Sequence, residues 1–470
     1  MKQFSNDIPF DQAIRRVLDA CADCDTCRFL MDESCLFFPE LYRLYDQETE
    51  LKKPVTDTDL QNLADRCTLC GLCPCPDIRM NIIQSRIARI RENGLSPGIR
   101  FLTDVGQLGR LCGLFPNVLN ACLSIPIVDR TVRHLAGIHS GREIPKIPRE
   151  NFFSWAHRNG LDRKSDSSPK VAYFAGCTAG YFFPEVAKAT VSLLMANQVA
   201  VYVPEQRCCG MPMLLEGDAD RAIHSMGLNM DTLLETVADG YDPVCSCPTC
   251  GFLMKVLLKE GACYSEAYQR AVHAESHEIR VPDRSSGKPG FVSLKKSLYP
   301  NILTDDGCFS RLDPVKRMAL SDRMLDMGEY LHRMYRENRL NTRLGRIASR
   351  MAIFVPCHQR EQNTGSPYET LLSLIPGLEM VRVGGVMDCC GMGGNLGYKD
   401  SFYEYSLKVG RPLFQKIQAA KPDGIVTECL SCRLQFEHVL PYPVFHPLEV
   451  LARSYQMTRV KNDGIIQDNW

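Results

Sequence analysis

Residues 170–177, Lys-Val-Ala-Tyr-Phe-Ala-Gly-Cys, form the stretch that decides the fold. Its apolar run has the composition of a buried strand, and it delivers Gly176 and Cys177 at its end. A helical stretch at 186–195 and a strand at 199–203 come next. The cysteines that follow are Cys208, Cys209, Cys247 and Cys250. Strands that alternate with helices and lead to cysteines predict an α/β fold, with those cysteines at the carboxyl ends of the strands.

The same order recurs about 180 residues later. Strand-like runs at 351–355, 380–383 and 424–426 again lead to cysteines. The cysteines of this second copy are Cys357, Cys389, Cys390, Cys429 and Cys432. Equivalent cysteines are offset by 180 to 182 residues, and a repeat this regular predicts two copies of one domain. Each copy gathers five cysteines, one more than a cubane [4Fe–4S] cluster needs. The additional Cys245 aligns with Thr427 of the second copy and is therefore left outside the set.

Two more groups of cysteines lie near the N-terminus, each with three cysteines at successive spacings of two residues. Such a triplet wraps around one face of a cubane [4Fe–4S] cluster, and the fourth iron takes a cysteine from beside the other triplet. We therefore predict a first cubane set of Cys21, Cys24, Cys27 and Cys75. The second cubane set is Cys67, Cys70, Cys73 and Cys35. Zinc is the alternative, but structural zinc sites use two pairs of cysteines and would leave the third cysteine of each triplet unused.

The composition restricts the class of protein. The 470 residues include 23 cysteines, an odd number that excludes complete pairing as internal disulfides. Residues 1–7 lack the apolar core of a signal peptide, so we expect a reducing compartment: the cytoplasm, or peripherally the inner face of the cell membrane. Lys plus Arg and Asp plus Glu are both 55, and this balance argues against a nucleic-acid partner.

The segments between the cysteine groups give further expectations. A helix over 57–66, capped by Asp57 or Thr58, is predicted between the two triplets. A second helix follows Cys75 and stops at Gly94, and its arginines are expected on a solvated face rather than at a partner. Those arginines are Arg79, Arg86, Arg89 and Arg91. The charged stretch 317–350 is expected to be a solvated helix.

Residues 111–128 are an uncharged run of eighteen that contains Pro116 and Pro126. The prolines make it a poor transmembrane helix. It could lie in the membrane interface, flanked by arginines, or cover the joint between domains, with a slight preference for contact with a membrane or with a partner embedded in one.

Together these patterns predict a mixed α+β and α/β architecture. A helical ferredoxin-like domain with two clusters (1–98) is followed by a connecting segment (99–168), a first repeated domain (169–262), an insert and linker (263–348), a second repeated domain (349–456) and a polar tail (457–470). A flexible loop is predicted at 285–290 within the insert.

The phrases Cys389-Cys390-Gly391-Met392-Gly393-Gly394 and Cys429-Leu430-Ser431-Cys432-Arg433-Leu434-Gln435 resemble those of the CCG-domain iron–sulfur oxidoreductases, the family of heterodisulfide reductase and anaerobic glycerol-3-phosphate dehydrogenase. The resemblance covers nearly the whole chain. It implies that each five-cysteine set holds up to one noncubane [4Fe–4S] cluster, and that the second set could be a substrate site.

Four further residues are predicted beside the clusters: Gly176, Gly210, Gly391 and His358. Glycine lets backbone N–H groups approach cluster sulfides, and His358 could donate a hydrogen bond or proton. The glycines after Cys390 do not have dinucleotide spacing, so no flavin or nucleotide is expected in this chain. The resemblance implies a subunit that transfers electrons between a flavoprotein dehydrogenase and a quinone. The alternative is a reductase that cleaves a disulfide at a CCG cluster.

Overall fold

The computed structural model describes residues 8–31, 35–73, 75–272, 277–283, 290–299, 302–305 and 307–463. The loop predicted at 285–290, apart from Gly290, and the end of the tail, 464–470, lie outside these ranges. Within them the chain combines many helices with two four-stranded parallel sheets and one antiparallel pair, which confirms the predicted mixed α/β class.

The N-terminal part is helical, as predicted. Its helices are α1 (Phe10–Cys24), α2 (Cys27–Leu30), α3 (Phe37–Thr49), α4 (Asp57–Asp65) and α5 (Pro76–Asn93). Apolar residues such as Ile14, Leu41 and Ile83 pack these helices into one core. The cap of α4 differs from the expectation, because Thr56 accepts from the Asp59 amide while the Asp59 carboxylate accepts from the Thr56 amide.

The arginines of α5 do not form a solvated face, which corrects the expectation. Arg79 and Arg86 are 6% and 1% exposed. Arg86 donates to the carbonyl oxygens of Ala64, Cys67 and Leu215. Those bonds compensate the burial of the guanidinium and attach α5 to the second triplet and to the first repeat.

Five short helices form the connecting segment: α6 (Pro97–Thr103), α7 (Val105–Cys112), α8 (Pro116–Leu123), α9 (Pro126–Ala136) and α10 (Phe152–Arg158). Pro116 and Pro126 begin α8 and α9. At the first position of a helix a backbone N–H has no partner within the helix, so proline can stand there without the loss of a hydrogen bond. Neither of these two helices buries a residue. Among the described helices, none is both long and apolar enough to cross a membrane.

The first repeat is a parallel sheet with helices between its strands. Its elements are β1 (Lys170–Phe174), α11 (Gly176–Tyr181), α12 (Pro184–Ala196), β2 (Ala200–Tyr202), α13 (Met211–Glu216), α14 (Ala219–Ala238), β3 (Asp242–Cys245) and α15 (Pro248–Phe252), which continues as a π-helix (Leu253–Leu257). The strand order is β2-β1-β3-β6, and the fourth strand, β6 (Leu325–Asp326), follows the insert.

The insert contains α16 (Glu266–Val272), an antiparallel pair of β4 (Glu278–Pro282) and β5 (Phe291–Lys295), and α17 (Pro314–Arg323). After β6 comes α18 (Met327–Arg336). The stretch 317–350 is therefore not one solvated helix. Arg317 is fully buried. Its guanidinium donates to the Leu258 and Glu260 carbonyl oxygens and pairs with Asp305 at 2.6 Å, and these partners compensate its burial.

The second repeat has the same topology. Its elements are β7 (Ser349–Ile353), α19 (Cys357–Arg360), α20 (Pro367–Ser373), β8 (Leu378–Arg382), α21 (Tyr403–Ala420), β9 (Gly424–Val426), α22 (Leu430–Val439), β10 (Val444–Phe445) and α23 (Pro447–Asp463). The order β8-β7-β9-β10 matches β2-β1-β3-β6 strand for strand. In both sheets the strands are parallel, so their carboxyl ends share one edge where the cysteine loops begin.

Candidate metal centres

The five cysteines of the first repeat converge at the carboxyl edge of its sheet. Cys177 lies in the first turn of α11, just after β1, and its sulfur is 3.5 Å from the sulfur of Cys208. Side-chain hydrogen bonds join Cys209 to Cys208 and Cys250, and Cys250 also to Cys247. Three loops that are far apart in sequence therefore supply one group of sulfurs.

The second repeat repeats this arrangement. The sulfurs of Cys390 and Cys432 are 3.0 Å apart. Cys389 hydrogen-bonds to Cys357 and Cys390, and Cys429 hydrogen-bonds to Cys432. The two five-cysteine sets adjoin: Thr249, between Cys247 and Cys250, lies 3.0 Å from the ring of His358, which follows Cys357.

The second cubane set surrounds a cavity. Cys35, Cys67, Cys70 and Cys73 all line it, and Cys389 and Gly391 of the second repeat contribute to its wall. The cysteines come from the loops before α3 and between α4 and α5. The second cubane set is consequently a direct neighbour of the second five-cysteine set.

The first cubane set lies at the ends of three helices: α1, α2 and α5. Burial raises the pKa of Cys21 to about 12, and the charges of Cys27, Cys75 and Cys24 add to this effect. The four side chains predicted to act together are thus brought together. Cys24 and Cys75 are exposed, whereas Cys21 and Cys27 are buried.

The donors fit iron–sulfur clusters in their chemistry. Each set consists of cysteine alone, the soft thiolate ligand that iron–sulfur clusters use. Burial raises the pKa of Cys35 to about 12, so a nearby cation has to compensate its negative charge for the thiolate to form. Over the described ranges, no three or more His, Cys, Asp or Glu side chains are arranged to hold a single metal ion between them.

His358 connects three of the four sets. Its Nε2 donates to the Leu69 carbonyl oxygen at 3.0 Å, between two cysteines of the second cubane set. Its Nδ1 lies 3.0 Å from the Thr249 hydroxyl, which donates to the neutral ring. The ring stacks on Phe252 at 4.6 Å between centroids, and burial lowers the pKa of His358 to about 4. His358 therefore acts as a neutral crosslink, next in sequence to Cys357.

The three predicted glycines all have positive φ, but their neighbours differ. A Cβ on Gly176 would lie 3.1 Å from the Cys250 sulfur. A Cβ on Gly391 would lie 2.0 Å from the Ser406 carbonyl oxygen, in α21. Gly210 instead lies against Ala222 of α14. Gly391 donates its N–H to the Cys389 sulfur at 3.3 Å, and the N–H of Gly210 donates to the Cys208 sulfur. All three glycines therefore lie beside predicted ligands, and Gly210 and Gly391 also allow a helix to pack against the cysteine loop.

Arg79 and Arg86 were not among the predicted site residues. Both lie beside the second cubane set, where their charges lower the pKa of Cys67 against the larger effect of burial. Arg79 also donates to the Gly71 carbonyl oxygen at 3.2 Å. Their spacing of seven residues, in register with Ile83 and Ile90, places them on the apolar side of the helix, and this signal was available in the sequence.

The five remaining cysteines stay outside the four sets. Cys245 is fully buried in β3, and its sulfur is 3.8 Å from the Cys247 carbonyl oxygen. Cys112 and Cys122 are half-buried in α7 and α8, and Cys263 and Cys308 belong to the insert.

Comparisons with known proteins identify the two repeats. Residues 171–255 and 351–437 each match the family described as a cysteine-rich domain, CCG. One of the subunits of anaerobic glycerol-3-phosphate dehydrogenase from Escherichia coli is 24% identical over 386 residues, which cover 80% of this chain and 82% of the relative.

Two other relatives extend the comparison. One of the subunits of a fumarate reductase (CoM/CoB) from Methanothermobacter marburgensis is 24% identical over 375 residues, 77% of this chain and 63% of the relative. Lactate utilization protein A 2 from Bacillus cereus is 22% identical over 292 residues, 61% of this chain and 98% of the relative. The chain thus carries two copies of the cysteine-rich CCG domain and is homologous to this subunit of anaerobic glycerol-3-phosphate dehydrogenase and to related iron–sulfur proteins.

Proposed function

We propose that the chain is the iron–sulfur electron-transfer subunit of an oxidoreductase complex. It relays electrons between a flavoprotein dehydrogenase partner and a terminal acceptor, a quinone. The observation that carries the proposal is the cavity of the second cubane set, whose wall includes Cys389 of the second repeat. Adjoining sets of ligands suit a relay, because electron transfer slows steeply with distance. The relatives named as dehydrogenase and reductase subunits support the same role.

The test begins with protein purified without oxygen. We expect iron and sulfide for two cubane and up to two noncubane [4Fe–4S] clusters, little zinc, and EPR signals that appear on reduction. A co-purifying flavoprotein should reduce the clusters when its substrate is added, and a soluble quinone should reoxidise them. Protein that contains zinc and no iron would refute the proposal.

A disulfide reductase is the second candidate. It is supported by two complete five-cysteine sets that adjoin where Thr249 contacts His358. The relative from Methanothermobacter marburgensis is named as a subunit of a fumarate reductase (CoM/CoB). EPR of the oxidised protein during a thiol titration distinguishes the candidates: a new paramagnetic species on addition of thiol supports disulfide chemistry, and an unchanged spectrum supports the relay.

We also propose that the connecting segment lies against a lipid surface on the inner face of the cell membrane. Large apolar side chains on α7–α9 and their loops are exposed to solvent: Leu111, Leu114, Phe115, Val118, Ile125, Ile127, Val132 and Leu135. Arg110 and Arg130 are exposed among them and suit anionic headgroups. Isolated exposed apolar residues are common, but a contiguous group marks a contact surface.

Sedimentation with vesicles tests this contact. We expect the chain to bind vesicles that contain phosphatidylglycerol more tightly than neutral ones, and Phe115→Ser with Ile127→Ser to release it. Leu298→Ser and Val386→Ser, which are 69% and 70% exposed elsewhere, are the matched controls. Equal binding by all variants would exclude this surface.

A further inference from the structure

The first cubane set is the one with ligand side chains at the surface. Of the eighteen predicted ligands, all of them described, Cys24 and Cys75 are exposed and the others are buried or half-buried. A partner protein can therefore approach this set more closely than any other. Its immediate surroundings should show how the partner is recognised.

Phe29 is an unusual residue beside this set. It follows Cys27 by two positions in α2, and its side chain is 82% exposed, the largest fraction for a large apolar residue in the described part of the chain. Its neighbour Arg28 is fixed, since it pairs with Asp25 at 2.7 Å and Asp46 at 2.8 Å and lies over the Tyr42 ring. The contacts of Arg28 thus hold the short helix in place, while the Phe29 ring points into solvent.

The C-terminal half of α1, which leads into α2, carries an acidic edge. Asp19 and Asp23 are exposed and one helical turn apart. The charges of Arg15 and Asp23 both act on Asp19, and Arg15 itself pairs with Glu48 at 3.3 Å. Within the described ranges, neither carboxylate has an ion-pair partner at salt-bridge distance. Arg28 does not neutralise them, because Asp25 and Asp46 already bind its guanidinium.

We propose that Phe29 and the acidic edge of α1 form the docking surface for a redox protein whose own face is basic around an apolar recess. An aromatic anchor with a charged rim is the usual composition of a protein–protein contact. The inference rests on the proposed function. In the docked pair one electron passes between the partner and the first cubane set, and no covalent bond forms or breaks.

Cytochrome c, a basic one-electron acceptor, is the probe. With the reconstituted full chain reduced beforehand, we expect Asp19→Lys/Asp23→Lys to lower the second-order rate of cytochrome c reduction about tenfold at low ionic strength. The same variant should lose carbodiimide crosslinking to cytochrome c, a readout that does not depend on turnover. Phe29→Ala should weaken binding about fivefold or more. Asp166→Lys and Leu298→Ala, exposed at other surfaces, are the controls and should behave as wild type.

Two outcomes overturn the docking surface. One is an unchanged rate and unchanged crosslinking in both variants, and the other is self-association or vesicle binding that disappears in Phe29→Ala. Benzoquinone, a small neutral acceptor, separates this failure from failure of the relay itself. If the reduced wild-type chain reduces neither benzoquinone nor cytochrome c, the proposed function fails. If all variants reduce both acceptors equally, only the docking surface is refuted.

Discussion

Arg79 and Arg86 are buried cations on the helix that follows the second cysteine triplet. Among the described residues, the Nε of each arginine has no hydrogen-bond partner, and the other donors hold backbone carbonyls of the second cubane set and its neighbours. Arg79 also pairs with the Glu361 carboxylate at 3.5 Å. A buried charge is expensive unless it is compensated. The carbonyl oxygens and, for Arg79, the Glu361 carboxylate compensate part of this cost. A reduced cluster with its four thiolates would add to that compensation, so these arginines would favour the reduced state.

Replacement of Arg79 by glutamine should make the reduction potential of the second cubane set more negative. Loss of one charge at several ångströms in a partly buried site corresponds to about 50 to 100 mV. An EPR-monitored redox titration measures the shift. Arg91→Gln, at the exposed end of α5, is the control, and an equal shift in both variants would show that the effect is not local.

At the level of elements, the sequence predicted the helices and strands that carry the cysteines, but not the strand that completes the first sheet. The apolar run 111–128 was expected to be a poor transmembrane helix because of its two prolines, and these prolines begin two short helices, α8 and α9. The two-residue strand β6 was not predicted, because a strand so short has no periodicity to detect. Its place in the first sheet depends on tertiary pairing with β3.

The packing of α7 on α11 depends on Gly109. A Cβ at this position would lie 2.4 Å from the Cβ and Cγ of Tyr181, at the end of the helix that contains Cys177. Gly109→Val should separate the two helices, at a cost of about 1 to 3 kcal/mol. We expect limited proteolysis between 105 and 136 to become about tenfold faster.

Gln107→Val is the matched control, because it places the same β-branched residue on the exposed side of α7. Equal cleavage of both variants would contradict the importance of the contact with Tyr181.

At the level of the whole molecule, the four sets form a series. The exposed first cubane set shares the N-terminal core with the second cubane set. The second cubane set and the second five-cysteine set share a wall, and the second five-cysteine set meets the first where His358 contacts Thr249. Cysteine spacing predicted which residues group together, and those ligand sets stay a prediction. It could not predict this series, because contacts such as that of His358 with Leu69 join residues 289 positions apart.

The series predicts magnetic coupling between neighbouring clusters. In reduced protein, the signal of the second cubane set should be broadened by the cluster of the second repeat. Cys432→Ala removes a ligand of that repeat alone and should narrow the signal in EPR. Cys250→Ala, the equivalent change in the first repeat, is the control and should leave the broadening in place. Unchanged broadening in Cys432→Ala would contradict the series.

The late position of β6 has a consequence for synthesis on the ribosome. The first sheet cannot acquire its fourth strand until the whole insert has been translated, since β6 follows the insert in the chain. The second repeat has no such delay, because β10 follows β9 after a single helix. During translation, the three earlier strands of the first repeat therefore leave the exit tunnel with one sheet edge uncovered. We expect this nascent stage, rather than the finished protein, to be the one that depends most on chaperones and on timely delivery of iron and sulfide.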